Sequence, residues 1–370
     1  MKKTLLVTLD FYPALGGVSN YWIALSEQMP SHQWVVLASP IITPDIKELG
    51  SAYQIYRYPF YSSRMWPRWL PLIFALVWVI LRERPKAVIA AQVLPVGTAV
   101  SFISWIFGIP YIVSTHGMDV TMPFRDSGKR NLCKKIFSKA KTIITVSRYT
   151  AKKIKEYGVK ESKIQFVYPC PAIVPKESSV PFPSSSKESI ILTVGRLVQR
   201  KGHEYVIDAI PGLKEYDPPI QYVVVGDGPQ KENLIRYAKE RGVADRVLFT
   251  GSLPDMSVAQ WYKKCDIFIM TPYEIDGDLE GFGIVYLEAN SFGKAVIGTR
   301  TGGVQDAVLD GVTGILVESQ DVSAIREAIV NLLSNKLLSQ RLGEQGKKRV
   351  KKEFQWSVQA EKLQNIISEI

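Results

Sequence analysis

Cysteine and histidine are scarce in this chain, and the patterns in which they usually carry chemistry are missing. Among 370 residues there are three cysteines, Cys133, Cys170 and Cys265, and no two of them form a C-x-x-C pair. An odd number of widely spaced thiols predicts neither a disulfide framework nor a thiolate metal site. It is typical of a protein from a reducing compartment.

The sequence also lacks an apolar run long enough to cross a bilayer. Its most apolar stretch, RMWPRWLPLIFALVWVIL at 64–81, is broken by Pro71 and falls short of the roughly 20 residues that a spanning helix needs. We expect either a buried helix here or a helix that rests in the lipid headgroup layer. The N-terminal MKKTLLVTLD begins like a signal peptide, but Asp10 ends its apolar run early, so Thr4 to Leu9 is predicted as a buried first strand.

The remaining composition is that of a folded globular protein with two domains. The length of 370 residues exceeds one comfortable hydrophobic core, and the 46% of hydrophobic and 22% of charged residues exclude a disordered or fibrous chain. Residues 1–175 hold 22 basic and 9 acidic residues, a net charge of +13, whereas residues 176–370 hold 24 and 26, a net charge of −2. The two halves are therefore expected to face different partners.

The positive charge is concentrated at 125–163, where 13 basic residues stand against three acidic ones. Leu132, Ile136 and Phe137 lie between these charges at helical spacing, which predicts a basic amphipathic face that docks on anionic lipid headgroups. Nucleic acid is the competing partner for such a segment. No helix-turn-helix, zinc-finger or aromatic RNA-binding pattern accompanies the charge, so a nucleic-acid partner is disfavoured.

Short β-branched runs alternate with helical patterns along the chain, which predicts βαβ units and parallel sheets. The stretch from 169 to 189 is rich in proline and serine and interrupts this alternation. We therefore predict an N-terminal domain at 1–170, a linker at 171–188 and a C-terminal domain at 189–354. Each domain is expected to be a doubly wound parallel sheet.

Glycine and charged residues gather where predicted strands end, which is the edge at which open parallel sheets bind ligands. Gly16 and Gly17 precede the first helix and form either a phosphate or sugar contact or a plain tight turn. His116 ends a strand and is either structural or a contact to a sugar hydroxyl. Arg196 and Lys201, in GRLVQRKG, either hold a diphosphate or are surface charges.

The segment EGFGIVYLE carries the most specific signal. Glu280 directly precedes Gly281-Phe282-Gly283, and Glu288 follows eight positions later. A helix that starts at the glycines directs its N–H groups at a bound phosphate, and the two carboxylates accept hydrogen bonds from hydroxyls. This arrangement suits a sugar nucleotide. A glycoside hydrolase is disfavoured, because its carboxylates face each other across a cleft and here both come from one segment.

Two neighbouring patterns fail on their spacing. The run GDGP at 226–229 lacks the third glycine of a dinucleotide fingerprint because position 231 is Lys, which argues against an oxidoreductase. The D-x-D at 276–278 does not continue with the ligand spacing of a calcium loop. A solvated loop without a metal is expected there.

Taken together, GGV at 16–18, HG at 116–117, GR-x4-KG at 195–202, GDGP at 226–229 and EGFGIVYLE at 280–288 resemble the retaining glycosyltransferases of family 4. The resemblance covers nearly the whole chain and is closest to bacterial mannosyltransferases that act on phosphatidylinositol or polyprenyl-linked acceptors. It implies the α/β GT-B fold, with two Rossmann-like domains that face each other across a cleft. The acceptor would bind the N-terminal domain, which the C-terminal helix at 355–370 would rejoin, and the nucleotide sugar would bind the C-terminal domain.

The resemblance also implies roles for single residues. Arg196 and Lys201 would hold the diphosphate, and His116 would face the transferred sugar. Glu280 would bind the hydroxyls of that sugar, and Glu288 would bind the ribose. The other residues implied at the donor site are Gly16, Gly17, Phe282, Gly283 and Ile284.

The predicted activity is retaining transfer of a hexosyl residue from a nucleotide sugar to a glycan or lipid-linked acceptor, without a metal or other cofactor. Asp255, in GSLPDM, is placed to accept hydrogen bonds from guanine, which favours GDP-mannose over UDP-glucose or UDP-N-acetylglucosamine. A nucleotide-sugar 2-epimerase of the same fold and a basic membrane- or nucleic-acid-binding module are the rival interpretations. A role in cell-envelope polysaccharide synthesis predicts a cytoplasmic protein attached peripherally to the inner face of the membrane.

Overall fold

The computed structural model describes residues 3–12, 16–40, 52–175 and 188–370, which fold into two compact units. The first unit comprises Met1–Pro169 together with Trp356–Ile370, and the second comprises Cys170–Gln355. Both are built on parallel sheets covered by helices, as predicted for two Rossmann-like domains. Most of the predicted linker, at 176–187, lies outside the described residues.

Seven parallel strands form the sheet of the first unit. These strands are β1 (Thr4–Thr8), β2 (Trp34–Ala38), β3 (Gln54–Arg57), β4 (Ala87–Ala90), β5 (Tyr111–Thr115), β6 (Thr142–Thr145) and β7 (Ile164–Phe166), in the spatial order β3-β2-β1-β4-β5-β6-β7. The helices are α1 (Gly17–Glu27), α2 (Leu70–Glu83), α3 (Thr98–Phe107), α4 (Met118–Thr121), α5 (Ser127–Lys139), α6 (Arg148–Lys155) and the last helix of the chain, α14 (Trp356–Ser368). Every residue of β1 is buried, as the apolar run at the N-terminus predicted.

The helices of the first unit form two layers, one on each face of the sheet. One hydrophobic core joins the sheet to α2, α3, α5 and α6, and it includes Leu76, Ile103, Phe137 and Ile154. A second core on the opposite face joins the sheet to α1 and α14. The basic helix α5 therefore turns an apolar side inward. The expectation that Ile136 and Phe137 form part of a lipid-facing surface is wrong, because both side chains are buried in the core.

The second unit contains a six-stranded parallel sheet. Its strands are β8 (Ser189–Val194), β9 (Ile220–Val225), β10 (Val247–Gly251), β11 (Ile267–Ile269), β12 (Ala295–Thr299) and β13 (Gly314–Val317), in the order β10-β9-β8-β11-β12-β13. Its helices are α7 (His203–Ala209), α8 (Lys231–Glu240), α9 (Asp255–Lys264), α10 (Ile284–Ser291), α11 (Val304–Ala307), α12 (Val322–Ser334) and α13 (Lys336–Glu353). The sequence did not predict α9 as a helix, and Asp255 is its first residue.

Each sheet contains one point at which the order of strand addition reverses. In the first unit the chain builds β1, β2 and β3 outward and then returns to place β4 beside β1. In the second unit it builds β8, β9 and β10 and then returns to place β11 beside β8. Loops that leave neighbouring strands in opposite directions open a crevice at such a point. Among the described residues, no helix is long and apolar enough to cross a membrane.

Candidate active site

The switch point of the second unit brings together the two segments with the most specific sequence signals. The loop that follows β8 carries Arg196, Arg200 and Lys201, and the loop that follows β11 carries Glu280. Because β8 and β11 are adjacent and parallel, both loops leave the sheet at its carboxyl edge. Residues 80 positions apart in the chain are thereby placed in contact.

Glu280 lies in an ion-pair network with two cations. Its Oε2 accepts a hydrogen bond from Lys201 Nζ at 2.6 Å and another from Arg200 Nη1 at 2.9 Å. Arg200 Nε in turn lies 3.0 Å from Oδ1 of Asp278. Burial alone would raise the pKa of Glu280, but the attraction of Lys201 and Arg200 outweighs it, so the pKa is lowered. Glu280 is thus a carboxylate that is ionised and held in place away from bulk water.

Close backbone packing fixes the loop that carries the two cations. Gly202 has a φ of +70°, and a Cβ atom added there would lie 2.0 Å from the carbonyl oxygen of Thr271. Thr271 Oγ1 donates to the Gly202 carbonyl at 2.7 Å, and the backbone N–H of Tyr273 donates to the Arg200 carbonyl at 3.0 Å. The glycine that follows Lys201 therefore allows the first loop to lie directly against the second.

A third loop, which follows β12, supports the backbone at Glu280. Gly303 donates its N–H to the Glu280 carbonyl at 2.8 Å, and a Cβ atom at Gly303 would lie 2.0 Å from the carbonyl oxygen of Gly281. Gly302 has a φ of +50°, and a Cβ atom added there would lie 2.3 Å from the Glu280 carbonyl oxygen. These glycines in TGGV let the β12 loop support the segment that presents the carboxylate.

Helix α10 begins directly after this segment. Phe282 is buried, Gly283 adopts a φ of +91° just before the first helical residue, and Ile284 opens the helix. The first N–H groups of a helix have no partner within it and point along the axis, so they can bind an anion. Glu280 and the start of α10 are thus adjacent in the chain, as the sequence indicated.

Glu288 lies on α10 and is almost completely buried. Its Oε1 accepts hydrogen bonds from the backbone N–H groups of Ala172 and Ile173, each at 3.3 Å, and its Oε2 accepts one from Tyr262 at 2.9 Å. Burial raises its pKa, and the nearby charge of Asp255 adds to the rise. The role of Glu288 at a ribose stays a prediction: in this structure the carboxylate ties the start of the second unit to α10 and α9.

The two remaining residues predicted in the second unit lie at the surface. Arg196 is exposed at the beginning of the β8 loop, and Arg200, not Arg196, joins Lys201 on Glu280. Asp255 is also exposed, at the N-terminal end of α9, where a ligand has free access to it. The sequence indicated no role for Arg200 and predicted Asp278 only as part of a solvated loop, although the basic dipeptide beside a glycine and the acidic run before Glu280 were visible signals.

The first unit has a polar cluster at its own switch point. Gln92, after β4, is buried, accepts a hydrogen bond from the backbone N–H of Leu9 and donates to Thr8 and to Asp10. It joins the ends of β1 and β4, the two strands at which the order reverses. The sequence indicated no role for Gln92, whose only signal was its place after a strand.

Gly16, Gly17 and His116 follow strands of this same unit. Gly16 and Gly17 are exposed at the start of α1, with nothing within 4 Å of a Cβ atom at either position. His116 Nε2 lies 3.2 Å from Ser114 Oγ, and its backbone N–H donates to Asp119 at 2.8 Å. Burial lowers the pKa of His116 to about 4, so its imidazole is neutral at neutral pH.

Family models match both units of the chain. A model described as "Glycosyltransferase Family 4" matches residues 15–170, and one described as "Glycosyl transferases group 1" matches residues 176–349. Two Rossmann-like units with these matches define an enzyme of the glycosyltransferase class with the GT-B fold. The chain thus carries a Family 4 glycosyltransferase domain at 15–170 and a group 1 glycosyltransferase domain at 176–349.

Two curated relatives that align along almost their full length differ in the reaction that their names describe. The GDP-mannose-dependent alpha-(1-6)-phosphatidylinositol monomannoside mannosyltransferase of Mycolicibacterium smegmatis is 29% identical over 382 residues, covering 98% of this chain and 98% of the relative. The N-acetyl-alpha-D-glucosaminyl L-malate synthase of Bacillus anthracis is 24% identical, covering 95% and 93%.

Solved structures show the same fold. A sucrose-phosphate synthase from Thermosynechococcus elongatus superposes with a TM-score of 0.83 at 22% identity, covering 100% of this chain and 99% of the other. Anabaena HepE in complex with UDP-glucose superposes with a TM-score of 0.79 at 17% identity, covering 100% of both chains.

Proposed function

We propose that this glycosyltransferase moves a mannosyl residue from GDP-mannose to a glycan or lipid-linked acceptor of the cell envelope, with retention of the anomeric configuration. The observation that carries the proposal is the buried carboxylate of Glu280, held by Lys201 and Arg200 beside the N-terminus of α10. The donor is named because the relative from Mycolicibacterium smegmatis is described as GDP-mannose-dependent.

The site has the groups that such a reaction needs. Lys201 and the first N–H groups of α10 would bind the diphosphate and stabilise the charge that grows on it as it leaves. Glu280, freed from Lys201 by the diphosphate, would accept hydrogen bonds from the hydroxyls of the sugar. We favour departure of the diphosphate on the same face as acceptor attack, with a phosphate oxygen taking the acceptor proton. The imidazole of His116, neutral because burial lowers its pKa to about 4, would serve as a hydrogen-bonding group and not as a cation.

We propose further that no metal ion takes part. In the described part of the chain, no cluster of three or more histidine, cysteine or acidic side chains could hold one. Asp278, the second acid of the D-x-D, is engaged by Arg200 at 3.0 Å. Activity and nucleotide binding are therefore expected to be insensitive to EDTA.

A UDP-sugar is the second candidate donor. It is favoured by the structural likeness to HepE, whose structure contains UDP-glucose. Calorimetric and thermal-shift titration with GDP, UDP and their sugars decides between the two, because a ligand that binds the native state raises its stability. Selective stabilisation by GDP and GDP-mannose is expected. A response to UDP alone would reassign the donor, and no response to either would contradict the proposed donor site.

Replacement of Glu280 tests the site itself. Glu280→Gln keeps the size of the side chain but removes its charge, and hydrogen bonds to charged groups contribute about 1.5–3 kcal/mol. We expect kcat/KM for the nucleotide sugar to fall about 10- to 100-fold in a folded protein, and Glu280→Ala to abolish transfer. Glu83→Gln is the matched control, since Glu83 is another well-buried carboxylate, bonded by Lys3 and Tyr56 in the first unit. A wild-type rate in Glu280→Gln would refute the assignment.

The acceptor is proposed to be linked to a lipid. The curated relative from Mycolicibacterium smegmatis is described as acting on a phosphatidylinositol monomannoside, and the first 175 residues of this chain carry a net charge of +13. We propose that the enzyme works at the inner face of the cytoplasmic membrane, attached peripherally through its basic first unit. Transfer to a lipid-linked acceptor in vesicles, with no transfer to the free head group, is the expected result.

A further inference from the structure

Helix α5 presents charge to solvent but no continuous apolar surface. Lys129, Lys134, Lys135 and Lys139 are exposed, whereas Cys133, Ile136 and Phe137 are buried in the core. In the described part of the chain, Lys134, Lys135 and Lys139 make no ion pair. This helix can attract anions, but it cannot by itself place apolar side chains in a lipid layer.

The neighbouring helices have the apolar surface that α5 lacks. On α2, Phe74, Trp78 and Leu81 recur at intervals of four and three residues on the side away from the core, and Phe74 and Leu81 are each 61% exposed. The intervals match one stripe along a helix. The opposite stripe of α2, which includes Leu72, Leu76 and Val79, is buried against the sheet.

Helix α3 repeats this arrangement. Phe102, Trp105 and Ile106 are exposed, with Trp105 at 71%, while Val100 and Ile103 are buried. Helices α2, α3 and α5 pack on the same face of the first sheet, with α3 in contact with both of the others. The six outward side chains of α2 and α3, here called the aromatic face, therefore lie in one layer beside the lysines of α5.

The charge around the aromatic face is predominantly positive. From residue 61 to residue 125 the only acids are Glu83 and Asp119. The Glu83 side chain is 9% exposed and is paired with Lys3, and Asp119 accepts the backbone N–H of His116. Arg64, Arg68 and Arg84 are exposed on the segments that flank α2, and Arg82 is exposed in its last turn. Asp126, the N-cap of α5, is exposed, but it stands against Lys129, Lys134, Lys135 and Lys139 of the same helix. An apolar surface with a predominantly cationic rim is complementary to an anionic lipid surface.

We propose that the aromatic face is the membrane-docking surface of this protein, with Phe74, Trp105 and their neighbours entering the headgroup boundary of an anionic bilayer and the lysines of α5 contacting lipid phosphates. This inference rests on the proposed action upon a lipid-linked acceptor and names the surface that holds the enzyme there. Trp78 and Trp105 suit the water–lipid boundary, because the indole ring is apolar and its N–H can stay in contact with water. The phenylalanines of the face supply apolar surface alone. With 14 residues, α2 is too short to span the bilayer and would lie at its surface.

Binding to vesicles of phosphatidylglycerol and phosphatidylcholine tests the surface directly. The double variant Phe74→Gln with Trp105→Gln should bind at least about tenfold more weakly, since two large apolar groups lose their burial in lipid.

The charge variant tests the lysines of α5. Lys134→Gln with Lys135→Gln should weaken vesicle binding by about fivefold per charge at low salt, and raising the salt should erase the difference from the wild type. Quenching of tryptophan fluorescence by brominated phosphatidylcholine should accompany binding of the wild type.

Matched controls come from the second unit. Leu337, on α13, is as exposed as any residue of the aromatic face, and Lys347 and Lys348 form an exposed basic pair on the same helix. Leu337→Gln and Lys347→Gln with Lys348→Gln should leave vesicle binding unchanged. Circular dichroism and thermal unfolding establish that all variants are folded.

Three results would overturn the proposal. The first is unchanged vesicle binding in the aromatic double variant. The second is equal loss in the Leu337 control, which would indicate a nonspecific effect of surface hydrophobicity. The third is a wild-type dimer that the aromatic variant converts to a monomer without loss of vesicle binding, which would make the face an interface between two copies.

Nucleotide titration of the same variants separates this proposal from the proposed donor site. Vesicle binding without nucleotide binding would refute only the donor site.

Discussion

At the residue scale, the ion pairs of Arg200 with Asp278 and Glu280 indicate what this side chain contributes to the site. It bridges Asp278 and Glu280, and together with Lys201 it lowers the pKa of Glu280 against the effect of burial, which alone would raise it. Once a diphosphate engages Lys201, Arg200 would be the cation that keeps Glu280 ionised. We therefore infer that Arg200 positions the carboxylate proposed to bind the sugar.

Substitution of Arg200 should shift the pH dependence of transfer. In Arg200→Gln the pKa of Glu280 rises, so the carboxylate takes up its proton at a higher pH than in the wild type. The acid limb of the kcat/KM profile should move to higher pH, while affinity for free GDP changes little. The stability linked to this carboxylate, present above its unfolded pKa and lost as the pH falls through the folded value, should disappear at higher pH as well.

The conservative variant separates positioning from a merely structural effect. Arg200→Lys keeps a cation near Glu280 and should restore most of the acid limb, although it cannot bridge both carboxylates as the guanidinium does. Superimposable pH profiles for wild type and Arg200→Gln would show that Lys201 alone controls the charge of Glu280.

Residues of this site differ in how well the sequence predicted them. Lys201 and Glu280 were predicted from short motifs, and the structure places them in contact at 2.6 Å. The partnership of Arg200 with Asp278 and Glu280 was not predicted, because it depends on a long-range contact between the loops after β8 and β11. Nor did the sequence indicate that Glu288 would accept hydrogen bonds from Tyr262 and from the backbone at 172 and 173.

At the scale of elements, the glycine turn after β12 supports the segment that begins at Glu280. Gly303→Ala would place a Cβ atom 2.0 Å from the Gly281 carbonyl oxygen, so one of the two loops must move. We expect affinity for the nucleotide sugar to fall at least about tenfold, with a lower melting temperature. Isothermal titration calorimetry on the purified variant measures the first effect.

The control is Gly311, a glycine with a left-handed backbone conformation but with no atom close to the place that a Cβ atom would take. Gly311 has a φ of +69° and nothing within 4 Å of a Cβ atom, so Gly311→Ala should cost only about 1 kcal/mol of stability and leave binding intact. Unchanged binding in Gly303→Ala would mean that the β12 loop does not hold the Glu280 segment.

The positions of the helices were easier to predict than the sides that they bury. The hydrophobic pattern predicts helices near 18–29, 69–82, 96–107 and 129–139. Helices α1, α2, α3 and α5 lie within a few residues of these ranges. For α5 it did not distinguish a core-facing stripe from a lipid-facing one, because both give the same spacing of Ile136 and Phe137. For α2 and α3, which are apolar on several sides, only the packing against the sheet showed which side chains remain outside.

At the scale of the whole molecule, the two units differ in how the chain builds them. The second unit is one continuous stretch, Cys170–Gln355, whereas the first needs Trp356–Ile370 in addition to Met1–Pro169. Helix α14 supplies Ala360, Leu363 and Ile367 to the core that also contains Trp22 and Leu25. Its Gln359 accepts a hydrogen bond from the backbone N–H of Tyr168 at 2.8 Å.

This difference predicts unequal behaviour of the two fragments. A fragment of residues 170–355 should fold alone and bind the donor nucleotide with an affinity close to that of the full chain, because Lys201, Glu280 and the start of α10 all lie within it. A fragment of residues 1–169 should be unstable, since the core on one face of its sheet loses several apolar side chains of α14. Adding residues 356–370 through a short glycine and serine linker should restore its folding, as measured by thermal unfolding. If residues 170–355 fold but bind no nucleotide, the donor site needs groups from the first unit, and the assignment of donor binding to the second unit alone is wrong.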